Sequence, residues 1–168
     1  EDSLQRLGGD YIDLYQFGND PTTPLEETLR AMDDLVRQGK ILYVGCNGSE
    51  AWWITKGLWK SDVARLESVQ SVQLRYNLID READYELLPL CIDQGLGVIC
   101  FSPLAGGMLT GKYLDNQGPS GNTRAALLPR YRKLFNAGTE SLVREIVGLA
   151  AERGVTPGQF ALAWVKDS

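Results

Sequence analysis

Histidine is absent from the 168 residues. The commonest general acid/base near neutral pH and the commonest metal ligand are therefore both missing. Cysteine is sparse and odd in number: Cys46, Cys91 and Cys100, each in an apolar stretch. Such thiols read as reduced core residues of a cytoplasmic protein, not as a disulfide framework. No Cys/His cluster has the spacing of a zinc site, so no metal is expected. Basic charge is also short, with 17 Lys+Arg against 22 Asp+Glu and a net charge of −5. That balance excludes a nucleic-acid partner, which needs a basic face. No apolar run approaches the ~20 residues of a membrane span, and no signal-peptide pattern opens the chain. What remains is ordinary globular composition, 43% hydrophobic and 23% charged, in a chain long enough for one domain with a real core. It starts at Glu1 without a methionine and stops at Ser168 within a predicted helix; both ends read as cut.

Apolar periodicity and Gly/Pro punctuation predict an alternating order. Asp2 to Leu7 reads as the end of a helix stopped by Gly8 and Gly9, and Tyr11 to Phe17 as a strand. Thr23, Pro24 and Glu26 predict a capping box that opens a helix with Leu25, Leu29, Met32, Leu35 and Val36 as its buried stripe. Ile41 to Cys46, apolar almost throughout, predicts a parallel strand covered on both sides. The loop from Asn47 to Glu50 leads to a helix, Ala51 to Trp59, whose Trp52, Trp53 and Trp59 read as core or interface rather than a ligand cage. Ser68 to Leu74 is a third strand. Asp80 to Gln94 reads as helical, with Pro89 kinking it or marking its first turn. Val98 to Phe101 is the fourth strand, and Leu114 to Pro129 a long polar loop. Thr139 to Arg153 is an amphipathic helix with Leu142, Ile146, Leu149 and Ala150 on one face. Thr156 and Gln159 form a second capping box that opens the last helix. This order implies an α/β fold with a parallel sheet and right-handed crossovers. Ligands then gather at the strands' C-terminal ends: Gln16-Phe17, Cys46-Asn47, Gln73-Leu74 and Phe101-Ser102.

The most informative stretch is Val98 to Tyr113. A short apolar strand is halted by Pro103, which cannot donate to a ladder, and runs into Gly106, Gly107, Gly111 and Lys112. A strand ending in a glycine loop with a lysine can cradle an anion. Ordinary turn punctuation uses the same residues.

The residues from Phe101 to Tyr113 also resemble the seventh-strand loop of the aldo-keto reductases. So, in order, do Asp10 to Gln16, Thr23 to Arg30, Leu35 to Lys40, Tyr76-Asn77-Leu78 and Leu87 to Leu90. The resemblance implies a single domain over residues 1–168, a partial (β/α)8 TIM barrel cut at both ends, with strands equivalent to four to seven. It implies NADP(H) as cofactor and hydride transfer to or from a small carbonyl substrate. On the diphosphate side it points to Ser102, Pro103, Leu104, Gly106, Leu109, Gly111 and Lys112, with Arg124 toward the adenosine. On the nicotinamide side it points to Asn47, where the usual Ser-Asn pair reads Asn47-Gly48, to Gln73, and to Phe101 as the stacking aromatic. The bland readings are a solvated loop arginine for Arg124, core for Phe101 and an ordinary strand residue for Gln73. No catalytic residue is assigned. The family's acid/base tyrosine, aspartate and lysine fall in a part without counterpart here, and Tyr15 and Asp13 lie on a different strand. The family's histidine would follow Gln16, where Phe17 and Gly18 stand.

Two further readings stay open: a non-catalytic NADP(H)-binding regulatory or assembly subunit with the same barrel, similar to the potassium-channel β-subunits, and an incomplete, inactive portion. Unpaired edges at the first and fourth strands predict association of the isolated chain.

Overall fold

The computed structural model describes residues 1–48, 50–115 and 121–168. Four strands, β1 (Ile12–Gly18), β2 (Ile41–Asn47), β3 (Val69–Arg75) and β4 (Gly97–Phe101), form one parallel sheet in the order β1-β2-β3-β4. Helices α1 (Asp2–Leu7), α2 (Leu25–Arg37), α3 (Ala51–Ala64) and α4 (Leu87–Gln94) alternate with them. After β4 come a 3-10 segment at Ala105–Thr110, α5 (Arg124–Leu127), a second 3-10 segment at Pro129–Leu134, α6 (Ala137–Glu152) and α7 (Pro157–Asp167). The expected α/β architecture, the parallel part of a partial (β/α)8 barrel, is what the chain forms. It divides into two compact units. The first holds residues 1–74 and 83–99, the second residues 75–82 and 100–168.

The first unit is a sheet unit. Its core is apolar sheet and helix surface: Leu25, Leu29, Ile41, Val44, Trp53, Ile54, Val69 and Val72 are all buried. Leu42 and Tyr43 are exposed, so β2 is not covered on both sides along its whole length as its sequence suggests. Only Trp53 of the three α3 tryptophans is core; it packs on Phe17 with ring centroids 5.9 Å apart, while Trp52 and Trp59 face outward. The buried stripe of α2 includes Asp33, whose carboxylate accepts from the Glu67 amide at 2.8 Å and from Arg37 Nε at 2.6 Å. The Thr23 capping box does not form. Asp20, three residues earlier, takes the Thr23 hydroxyl at 2.7 Å, and Glu26 pairs with Lys60 instead. A nearer carboxylate has outcompeted the backbone amide for the same side chain. The Asp80-to-Gln94 stretch is a 3-10 turn at Glu82–Asp84 followed by α4, with Pro89 in the first turn, where no amide is needed.

The second unit is mainly helical. Met108, Leu109, Ala125, Tyr131, Val143, Ile146, Ala150 and Ala161 are buried in it. On α6 the inward face carries Val143, and Leu149 is 41% exposed: the stripe is rotated from the predicted one. The second capping box is present, with Thr156 Oγ1 accepting from the Gln159 amide and Gln159 Oε1 accepting from the Thr156 amide. The expected loop from Leu114 to Pro129 contains α5. Its residues 116–120, and Ser49 of the earlier loop, lie outside the described residues.

Candidate functional site

In the sheet unit, the C-terminal ends of β1, β2 and β3 bring together side chains that are far apart in sequence. Gln73 Nε2 donates to Gln16 Oε1 at 2.7 Å, across 57 residues. The two strands are not neighbours. Between them, at the register position opposite Gln16, β2 carries Gly45. A Cβ there would stand 2.6 Å from Ser71 Oγ and 3.0 Å from Gln16 Cγ. The missing side chain is thus what lets Gln16 lie over β2 to reach β3. Gln16 Nε2 and Ser71 Oγ are buried with no partner among the described residues. Asn47 ends β2 opposite Gln73 and is exposed, and Gly48 donates its amide to the Gln73 carbonyl at 2.7 Å. Phe17, directly after Gln16, is a core residue against Trp53, and Gly18, which replaces the family's histidine unless the loop is trimmed through it, ends the strand. Burial pushes the Cys46 thiol up to about 12, with Cys91 adding to the shift, so neither serves as a thiolate.

In the helical unit, the loop after β4 is contorted. Ser102, Ala105, Gly106, Gly107 and Gly111 all have positive φ, between 49° and 96°. For serine and alanine this costs roughly 1–2 kcal/mol each, so other contacts must hold the turn. Three do. The Ser102 carbonyl accepts from the Ala105 amide at 2.9 Å and from Nδ2 of buried Asn77 at 3.1 Å. Ser102 Oγ lies 2.7 Å from the Tyr131 phenol. The Tyr131 ring packs under Gly106, where a Cβ would come within 2.9 Å of it. Gly106 is therefore required first by Tyr131 inside the protein, whatever else approaches it.

Sequence reasoning passed over Tyr131, because Pro129–Leu134 has no strong period and reads as the end of a loop. A tyrosine set among arginines, Pro-Arg-Tyr-Arg, was the available signal. Burial raises its phenol's pKa, but hydrogen bonds from Ser102 and Arg130, with the charges of Arg130 and Arg124, more than offset this and bring it below the ordinary tyrosine value.

The other predicted residues fall as follows. Phe101 is the half-buried last residue of β4, and Pro103 and Leu104 are half-buried after it. Leu109 is wholly buried, so its side chain serves the core. A Cβ on Gly111 would press on Val147 at 3.0 Å. Lys112 is exposed and folds back over Gly107, its Nζ 5.0 Å from the Tyr113 ring centre. Arg124, exposed, opens α5. Residues 101–113 carry no acidic side chain: the donors here are hydroxyl, amide and ammonium, the set that receives an anion. Among the described residues there is no cluster of metal ligands and no helix long and apolar enough to cross a membrane.

The family model described as the aldo/keto reductase family matches residues 1–168. The chain belongs to that family. It is 36% identical over 167 residues to "Uncharacterized oxidoreductase YrpG" of Bacillus subtilis, covering 98% of this chain and 49% of that protein. It is 39% identical over 170 residues to a "Probable voltage-gated potassium channel subunit beta" of Arabidopsis thaliana, covering 96% of this chain and 51% of that protein. With "Probable aldo-keto reductase 1" of Glycine max it shares 32% over 166 residues, 98% of this chain and 46% of that protein. This aldo/keto reductase chain thus spans about half the length of the curated relatives it matches.

Proposed function

We propose that the chain is the nucleotide-binding part of an NADP(H)-dependent aldo/keto reductase, an oxidoreductase acting on a small carbonyl compound in the cytoplasm. We take residues 1–168 as one partial barrel domain. The observation that carries the reading is the strained, acid-free loop at 102–112. Its donor set fits a diphosphate: the Ser102 hydroxyl, the Lys112 ammonium, backbone amides, and Arg124 near the same phenol. Lys112 is exposed and lies against its own loop, so it can turn to a phosphate without losing a packed position. Asn47 and Gln73 offer amides that suit a carboxamide, and Phe101 an apolar face. The cofactor, when bound, supplies the hydride. The chain's own residues bind and orient it. The free thiols Cys46, Cys91 and Cys100 support a reducing compartment.

Removing the Lys112 charge tests this. A charge-assisted contact contributes roughly 1.5–3 kcal/mol, so Lys112→Ala should weaken NADPH binding about 10- to 150-fold in a fluorescence titration. Binding like the parent would reduce the loop to a turn.

One observation favours the regulatory reading instead. After Gln16 the chain has core Phe17 and Gly18, neither able to donate a side-chain hydrogen bond to a carbonyl oxygen. General acid/base help is worth about 10²–10⁴-fold. NADPH binding without aldehyde-dependent oxidation would support a binding subunit; steady oxidation lost on denaturation would support the enzyme.

A further inference from the structure

We infer that Tyr131 is a positioning residue of the nucleotide loop, acting through Ser102. The inference rests on the reading of that loop as the NADP(H) site. Tyr131 is 3% exposed, and its two ends do different work. The ring supports Gly106 from beneath, where a Cβ would sit 2.9 Å away. The phenol meets Ser102 Oγ at 2.7 Å. Either hydroxyl can donate in this pair. When the phenol donates, Ser102 Oγ accepts and keeps its own proton for a bound anion. In the reverse arrangement the bond still holds the Ser102 side chain in place, with its proton turned inward.

The same bond restrains the side chain of a residue whose backbone is left-handed, φ 56°. Asn77 holds the carbonyl of that residue. Together they fix Ser102 at both ends, before any ligand arrives. A loop ordered in advance loses less entropy on binding.

The positively charged side chains near the phenol agree with this. Arg130 lies with Cζ 5.2 Å from the Tyr131 ring centre, and Arg124 acts on the phenol electrostatically. Both favour an anion in the neighbourhood of the Ser102 hydroxyl.

The test uses this chain and three variants: Tyr131→Phe, which keeps the ring; Ser102→Ala; and the double substitution. In NADPH titrations each single variant should bind about 2- to 12-fold more weakly, the span of one net hydrogen bond. The double variant should be no weaker than the weaker single, because Tyr131 acts through Ser102. A Tyr131→Phe variant that binds like the parent, or a double loss equal to the product of the two, overturns the inference. Amide hydrogen exchange at residues 104–107 gives a readout that needs no nucleotide. Tyr131→Phe should speed it severalfold while the thermal midpoint holds. If the parent binds no NADPH, the reading of the loop fails, and exchange alone decides the clamp: faster exchange upholds it, unchanged exchange overturns it.

Discussion

Both units contain left-handed backbone, but they place it differently. In the sheet unit it falls at Gly8, Gly39, Gly48, Arg65 and Gly95. Four of these five stand where α1, α2, α3 and α4 end, which is the ordinary way to stop a helix. In the helical unit five such residues crowd into positions 102–111, and two of them, Ser102 and Ala105, are not glycine. Dispersed left-handed residues are punctuation. Concentrated ones, in residue types that resist the conformation, need dedicated contacts, and here Asn77 and Tyr131 supply them. Strain of this kind persists where the surroundings over-determine it, and it gathers at ligand clamps. The comparison singles out the loop at 102–111 independently of its glycine count.

The sharpest test of the contrast is a substitution that damages the sheet unit without touching the loop. Trp53 is 8% exposed and packs against Phe17. Trp53→Ala should lower stability by about 3–5 kcal/mol, the usual cost of emptying an aromatic core site, as read by denaturant unfolding. NADPH affinity of the protein that remains folded should be unchanged. If affinity falls with stability, the tryptophan belongs to the site and the division of labour is wrong.

Gly106→Val attacks the loop itself. The new side chain must adopt φ 68° and would press into the Tyr131 ring. Backbone strain and overpacking together should cost about 2–4 kcal/mol, and nucleotide affinity should fall as well. The sequence alone offers two reasons for this glycine, a tight turn and close approach of a ligand. The structure adds the ring beneath it. If stability is untouched and only affinity falls, the ring yields easily and the clamp is weaker than its geometry implies.

How much could be read beforehand follows the range of the interactions. Strand positions, the glycine helix stops and the Thr156 capping box were legible because each depends on residues within one turn or one strand; the end of α3 was not, since the helix runs past Trp59 to Ala64 and stops at Arg65 instead of a glycine. The Thr23 box was misread because its competitor, Asp20, sits just outside the four-residue pattern. The contact between Gln16 and Gln73 was not legible: it spans 57 residues and is permitted by the absence of a side chain at Gly45. Tyr131 escaped for the same reason. Its importance lies in a partner 29 residues away, and no local period marks it. The glycines and lysine of the loop were visible; what holds the loop in shape was not.

The sheet unit has a buried polar anchor, Asp33, that should respond to acid. The Glu67 amide, with Arg37, holds the Asp33 carboxyl below the ordinary aspartate value. The unfolded chain titrates near 4. Stability from this group is therefore complete above that value and is lost as pH falls through the lower folded pKa. Asp33→Asn should cost about 1–2 kcal/mol near neutral pH, since it weakens two contacts. It should also flatten the loss of stability below pH ~4. Melting curves at several pH values check both. An equally steep acid limb in Asp33→Asn would mean that other carboxylates govern it.

The smallest effect comes from the left-handed arginine that stops α3 in the sheet unit. Arg65 caps α3 at φ 54°, its amide bonding to the Asp62 carbonyl and the Leu66 amide to that of Ser61. Its side chain is exposed. Glycine at this position relieves roughly 1–2 kcal/mol of left-handed strain. Against that stands the greater freedom of glycine in the unfolded chain, roughly 0.5–1 kcal/mol. Arg65→Gly should thus stabilise the protein by about 0.5–1 kcal/mol, visible as a small rise in the denaturation midpoint, with NADPH affinity unchanged. The same change at Ser102 relieves a similar strain but deletes the hydroxyl that meets Tyr131, so Ser102→Gly should weaken NADPH binding. Unchanged NADPH affinity at one left-handed site and weakened affinity at the other, from the same substitution, are what the contrast demands. If Arg65→Gly destabilises, or if Ser102→Gly binds NADPH as well as the parent, strain at 102–111 is no different in kind from strain at a helix end.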